Sequence, residues 1–143
     1  MEKITVIIGN SEDKIAETVA SYDKDNVVFI DCDYYYPHGR KRRKMLVGFS
    51  RHCSQNTELV VIKGFKYASD IGELISDTYE GIAIEKQGKD IFYIHPKIIV
   101  VCAEDISIDD FPLESISFKR RALIINCNDG AKRLSDEDSQ PSG

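Results

Sequence analysis

The sequence predicts an α/β fold in which a mainly parallel sheet lies between two layers of helices, and three observations support this prediction. Short runs of consecutive apolar residues recur along the chain, as in Ile4–Ile8 and Ile98–Cys102, and such runs are typical of strands buried on both faces. Segments with helical spacing of apolar residues separate several of these runs, which favours parallel strands joined by helical crossovers. The chain has 143 residues, 42% hydrophobic and 30% charged, and this composition is typical of one globular domain.

The N-terminal segment predicts a strand, a turn and a helix, followed by a second strand. Ile4–Ile8 is the first strand, and Gly9 interrupts it. A helix is predicted over residues 13–21 with Ser11 as its N-cap. The apolar face of this helix consists of Ile15, Ala16, Val19 and Ala20. Val27–Asp31 is the second predicted strand.

The middle of the chain continues the alternation of helices and strands. Helical spacing recurs at Met45, Leu46, Phe49 and Cys53. Leu59–Lys63 is the third predicted strand, and Ala68–Tyr79 is a predicted helix. The apolar stripe of that helix consists of Ile71, Leu74, Ile75 and Tyr79.

A β-hairpin is predicted after this helix, inserted into the parallel pattern. Its strands are Ile82–Glu85 and Ile91–Ile94, and Gly88 supplies the positive φ that the connecting turn requires. A strand, a short helix and a final strand are then expected over Ile98–Cys102, Ile106–Phe111 and Ala122–Cys127.

Residues 1–127 are therefore expected to form the domain, and residues 128–143 an acidic, disordered tail. No apolar stretch reaches the roughly 20 residues of a membrane helix, and the first strand lacks the features of a signal peptide. We therefore expect a cytoplasmic protein with no membrane partner. Its four cysteines show no C-x-x-C spacing, so a zinc site is not expected and the cysteines are interpreted as reduced, mostly buried thiols.

Polar residues follow the predicted strands at the edge where ligands bind in open α/β sheets. The rim is formed by Gly9–Lys14, Asp31–Tyr36, Lys63–Phe65 and Ala103–Asp105. Its candidate polar residues are Asp31, Asp33, Lys63, Glu104 and Asp105. The carboxylates are either metal or water ligands or caps of the segments that follow them.

Four segments, in their order and spacing, resemble a P-loop ATPase of the AAA+ and superfamily-three helicase kind found in viruses and mobile elements. They read ITVIIGNSEDKIAETVA, ELVVIKGF, HPKIIVVCAEDI and SFKRRALIINC. The resemblance spans most of residues 4–127. It implies a three-layer P-loop NTPase fold in which these segments are, in turn, the P-loop, the Walker B strand, the sensor strand and an S-x-x-R-R stretch.

The first of these segments departs from the P-loop pattern G-x-x-x-x-G-K-[ST]. Gly9 matches the first glycine, but the positions of the second glycine, the lysine and the hydroxyl are occupied by Lys14, Ile15 and Ala16. The acidic residues at 12 and 13 would also repel phosphate. The loop is either an ordinary strand-to-helix turn or an atypical anion site built from Gly9, Asn10, Ser11 and Lys14.

The Walker B position is also changed. The apolar residues of the third strand are followed by Lys63 and Gly64, where carboxylates would hold magnesium. Lys63 is interpreted as a solvated rim lysine or as a contact for an anion. Because phosphoryl transfer depends on these groups, we expect no ATP hydrolysis, no catalytic residue and no metal site.

Two basic features complete the candidate sites. The resemblance gives Arg120 and Arg121 the position of an arginine finger, although ion pairing or anion binding explains them more simply. The basic cluster Arg40, Lys41, Arg42, Arg43 and Lys44 follows three tyrosines, Tyr34–Tyr36. This pattern suits contact with nucleic acid, or else a solvated helix face.

Two functions therefore follow from the sequence. The first is a non-catalytic P-loop-like binding or assembly module, a pseudoenzyme without a cofactor, that contacts nucleic acid, a partner ATPase or further copies of itself. The alternative is an atypical helicase-like ATPase that binds ATP and magnesium through Lys14, Asp31 or Glu104 and uses Arg120 and Arg121 in a ring.

Overall fold

The computed structural model describes residues 3–9, 12–31, 52–85 and 90–127 of the chain. Within these ranges the strands are β1 (Ile4–Ile8), β2 (Val27–Asp31), β3 (Leu59–Phe65), β4 (Ile82–Glu85), β5 (Ile91–Ile94), β6 (Lys97–Cys102) and β7 (Ala122–Asn126). The α-helices are α1 (Glu12–Ala20), α2 (Ile71–Asp77) and α3 (Ile116–Arg121). Short 3₁₀ helices lie at Lys24–Asn26, Ala68–Asp70 and Ile108–Asp110.

Five of these strands form one parallel sheet in the order β2-β3-β6-β1-β7, and β4 and β5 pair antiparallel with each other. The first four residues of β3, from Leu59 to Ile62, have no solvent exposure. A strand buried on both faces is expected in a parallel sheet that is covered on each side.

Two apolar clusters cover the two faces of the sheet. On one face, Ile15 and Val19 of α1 pack against a cluster that contains Ile7, Val61 and Ile99. The opposite cluster joins the sheet to α2, α3 and the hairpin through Ile71, Leu74, Ile82 and Phe118. The fold therefore has three layers, with α1 on one side of the sheet and α2 and α3 on the other.

The connections leave β1 and β6 in opposite directions. The chain passes from β1 beyond β6 and β3 to the edge strand β2, whereas it passes from β6 beyond β1 to the opposite edge strand β7. Adjacent strands whose connections diverge in this way define a topological switch point, and ligands of open α/β sheets bind at the carboxyl ends of such strands.

A bulge near the end of β3 changes the face of the sheet on which Phe65 lies. The register with β6 shifts between Ile62 and Phe65, and Gly64 has a φ of +69°. Without the bulge, Phe65 would share a face with Val61 and Lys63. The shift instead buries Phe65 in the cluster on the α2 side, while Lys63 remains exposed on the α1 side.

The predicted α/β class, parallel sheet and inserted hairpin strands are confirmed. The helix predicted over residues 68–79 consists of a 3₁₀ turn followed by α2, and Tyr79 at the end of its stripe is 63% exposed. The segment Ile106–Phe111 contains only a 3₁₀ turn. The helix α3 was not predicted; the Ser115 hydroxyl caps it by accepting from the Phe118 N–H at 3.3 Å.

Some predictions concern residues outside the described ranges. These are the helical spacing from Met45 to Phe49, the hairpin turn 86–89, the Ser11 cap and the acidic tail 128–143.

Candidate functional site

A cavity of about 830 Å³ lies at the switch point, between α1 and the carboxyl ends of β1, β3 and β6. Apolar side chains of α1 and β6 form part of its wall. The residues that matter for its chemistry are Gly9, Glu12, Phe29, Lys63, Cys102 and Glu104. The cavity thus contains at least one residue from each of three segments singled out in the sequence. Gly9 comes from the P-loop-like segment, Lys63 from the Walker B-like segment and Glu104 from the sensor-like segment.

The turn between β1 and α1 is shorter than a P-loop. Gly9 adopts a φ of +95°, which suits a sharp turn out of the strand. Glu12, three residues after Gly9, already belongs to helix α1. A P-loop keeps four residues between its two glycines before the helix begins, whereas here Glu12 and Asp13 are already helical.

Lys63 lies on β3, at the position that the resemblance assigns to Walker B, and its ammonium group lies above an aromatic ring. Its Nζ lies 4.9 Å from the centroid of the Phe29 ring on the neighbouring strand β2. An ammonium group at this distance is attracted by the ring's quadrupole. Lys63 is also the register partner of Asp31. A cation fixed here would oppose a magnesium ion by like-charge repulsion.

Carboxylates from two other elements face the same cavity. Glu12 comes from the first turn of α1, and Glu104 follows β6. Both residues are exposed, and among the described residues of the wall they bring two carboxylates beside one lysine, Lys63. A triphosphate placed in this cavity would meet two negative side chains. The cavity therefore suits a neutral or partly apolar group better than a polyanion.

Cys102 does not supply a reactive thiolate to the cavity. Burial raises the pKa of its thiol to about 12, so the thiol stays protonated across the neutral range. Burial also raises the pKa of Cys53 to about 11, against the smaller opposing effect of its hydrogen bond with Thr57. Cys53, Cys102 and Cys127 are all free cysteines, and Cys32 lies outside the described ranges.

Two described rim candidates, Lys14 and Asp105, do not line this cavity. Lys14 is exposed on α1 and is not part of the cavity wall, since the helix presents Glu12, Ile15, Ala16 and Val19 to it. Asp105 is exposed in the turn after β6. The other candidates, which are Asn10, Ser11, Asp33 and the basic cluster 40–44, lie outside the described residues.

Arg120 and Arg121 lie on the other side of the sheet, at the end of α3. They line a second cavity of about 1270 Å³ between α2, α3 and the hairpin. Sequence reasoning missed the tyrosines of this cavity, Tyr79 and Tyr93. The alternation of β5 was the available signal for Tyr93, because it places that ring on the face opposite the buried Ile94.

The described residues contain neither a group suited to a metal ion nor a helix suited to crossing a membrane. No group of three or more histidine, cysteine, aspartate or glutamate residues is arranged to hold a metal ion in this part of the chain. No helix within it has the length and apolar character needed to cross a bilayer.

Comparison with known proteins gives no family assignment. No protein-family model matches the chain, and a search of curated proteins finds no significant match.

Proposed function

We propose that this chain is a non-catalytic module of the P-loop NTPase type that acts by binding and does not hydrolyse a nucleoside triphosphate. The observation that carries the proposal is the cavity at the switch point, where Lys63 replaces the metal carboxylate and Glu12 and Glu104 face the space that phosphates would need. The loss of hydrolysis thus has two separate causes, one at the P-loop and one at the Walker B position.

The strand order supports the P-loop part of this proposal. A sensor residue can reach a nucleotide held by the P-loop only if its strand lies beside the P-loop strand. The sensor-like β6 lies between β1 and the Walker B-like β3. The two common dinucleotide- and flavin-binding orders, 3-2-1-4-5-6 and 2-1-3-4-5, instead place the second strand of the chain next to the first.

The electrostatics of the cavity support the non-catalytic part. Phosphoryl transfer needs groups that neutralise the charge developing on the phosphates, namely a lysine, a hydroxyl and a magnesium ion. Among the described residues, the wall offers two carboxylates and one lysine, Lys63, which lies over Phe29. A binding or assembly role, with nucleic acid or a partner ATPase as the other component, requires none of the missing groups.

A thermal-shift scan tests this proposal. We expect ATP or ADP with magnesium to leave the melting temperature of the full chain unchanged, and we expect Lys14→Ala to behave like the wild type. A nucleotide present at about 100 times its dissociation constant would raise the free energy of unfolding by about 2.7 kcal/mol. A thermal-shift scan detects a stabilisation of this size.

Lys24→Ala is the matched control, because Lys24 is also exposed but lies in the 3₁₀ turn after α1. A rise in melting temperature that Lys14→Ala abolishes and Lys24→Ala preserves would contradict the proposal and favour the atypical ATPase.

A further inference from the structure

We propose that the second cavity, hereafter the tyrosine–arginine groove, binds single-stranded nucleic acid. The groove is defined by Tyr79, Tyr93, Arg120 and Arg121. Bases would stack on the tyrosine rings, and phosphates would contact the guanidinium groups. This inference deepens the binding role proposed above and rests on it, because it names a ligand class and a surface for that role.

The first argument is that two aromatic rings lie open to solvent in one groove. Tyr79 is 63% exposed and Tyr93 is 51% exposed. They come from different elements, since Tyr79 follows α2 and Tyr93 belongs to β5. Isolated exposed aromatics are ordinary, but two that line the same cavity offer a platform for planar groups.

The packing of the hairpin explains why Tyr93 is uncovered. Its cross-strand partner is Ala83, whose methyl group covers little of a phenol ring. The opposite face of the hairpin carries Ile82, Ile84 and Ile94, which are buried in the core. The core therefore holds the strand in place while Tyr93 faces the groove.

The second argument is the placement of the arginines. The Cζ atom of Arg121 lies over the Tyr79 ring, 4.5 Å from its centroid, so the guanidinium and the phenol form a cation–π pair. Arg120 lines the same groove and is exposed. Basic residues at the end of a helix also stabilise its dipole, but that role requires neither the stack on Tyr79 nor an adjacent open ring.

The groove also carries charged and hydroxyl side chains. Two arginines and one acidic residue, Glu80, line its described wall, in a chain whose formal net charge is −5. The hydroxyl groups of Ser76 and Ser117 belong to the same wall. A surface that combines arginine and hydroxyl groups with open aromatic rings suits unpaired nucleotides without sequence preference.

Fluorescence anisotropy with a labelled oligothymidylate of about 12 nucleotides, a length suited to one small binding domain, tests the proposal. We expect Tyr79→Leu and Tyr93→Leu each to weaken binding by about tenfold, because leucine keeps apolar volume but has no ring to stack. Tyr79→Phe and Tyr93→Phe should bind like the wild type. Arg120→Gln should make the slope of log association constant against log salt concentration less steep by about 0.7.

Two controls separate the groove from the rest of the surface. Tyr67→Leu should bind like the wild type, since Tyr67 is 49% exposed but does not line the groove. Lys24→Gln should leave the salt slope unchanged for the same reason. Circular dichroism of every variant confirms that the fold is intact.

Four results would overturn the inference, and the first three concern the oligonucleotide assay itself. They are an absence of binding by the wild type, equal binding by the leucine and phenylalanine variants, and complete competition by duplex DNA. Binding that is lost only when Arg40–Lys44 are neutralised would also overturn it, while leaving the proposed binding function intact. The thermal-shift scan tests the proposed function separately: stabilisation of the chain by ATP and magnesium would contradict that function.

Discussion

Replacing Phe65 with alanine is expected to lower the free energy of unfolding by about 3–5 kcal/mol, the largest effect predicted for a single side chain here. Phe65 has no solvent exposure and belongs to the core cluster on the α2 side of the sheet. Its removal leaves a cavity at the end of β3, where Gly64 and the register shift fix the backbone. Chemical denaturation of the wild type and the variant measures the difference.

Phe29→Ala is the matched control for this prediction. Phe29 lies on β2 of the same sheet but is 50% exposed, and its ring contacts Lys63. Its replacement should cost no more than about 1.5 kcal/mol, since only part of the ring is buried and the cation–π contact is weak in solvent. Equal losses for Phe65→Ala and Phe29→Ala would contradict the assignment of Phe65 to the core.

Gly81→Ala is expected to lower the free energy of unfolding by about 2–4 kcal/mol. Gly81 has a φ of +104°, which is strained for any residue with a Cβ. A Cβ there would lie 2.6 Å from the carbonyl oxygen of Ile94 and 2.9 Å from His95 Nε2. His95 Nε2 in turn lies 3.1 Å from the Glu80 carbonyl oxygen, so the substitution also disturbs the wall of the tyrosine–arginine groove.

Gly72→Ala is expected to change the free energy of unfolding in the opposite direction in the same experiment. Gly72 lies in α2, and a Cβ at this position would meet no atom within 4 Å. Alanine there should raise the free energy of unfolding by about 0.5–1 kcal/mol through helix propensity. If Gly81→Ala were as stable as the wild type, the close approach of β5 to residue 81 would be disproved.

The strands of this protein were largely predictable because local pattern and tertiary environment agree. Ile4–Ile8, Ile82–Glu85 and Ile91–Ile94 have the same bounds in the structure as in the sequence-based prediction. A continuous apolar run such as Ile4–Ile8 can be buried in few ways other than as a central strand of a covered sheet, whereas Gly88 in the intervening turn was the signal for the two hairpin strands. The rim was predictable for the same reason, since the carboxyl ends of parallel strands lie at one edge.

The helical content was less predictable, because it depends on tertiary contacts. The segment that forms α3 contains adjacent basic residues that suggest a turn, but the Ser115 cap and the buried Phe118 stabilise a helix. The bulge at Gly64 moves Phe65 to the opposite face of the sheet, which strict alternation cannot anticipate.

The candidate sites were predictable only in part. The rim segments indicated the cavity at the switch point, but the contact of Lys63 with Phe29 depends on the parallel register of β2 and β3. The groove could not be assembled from sequence, because Tyr79, Tyr93 and Arg121 come from three separate elements.

The structure thus separates two surfaces by the sheet itself. The α1 side carries a P-loop-like cavity whose charges oppose a magnesium–triphosphate complex. The α2 and α3 side carries a groove with open aromatic rings and arginines. Function depends on the residues of a site and not on the fold that carries it, so the two surfaces are to be tested separately.

Whether a nucleotide enters the cavity at the switch point can be measured residue by residue in an NMR titration. Backbone amide signals of the full chain would be followed while ATP and magnesium are added to millimolar concentration. We expect the amide signals of Gly9, Lys63 and Glu104, which line the cavity at the switch point, to keep their chemical shifts. Saturable shifts centred on these three residues would contradict this expectation, because they would place a nucleotide in the cavity that we propose to be unsuited to one.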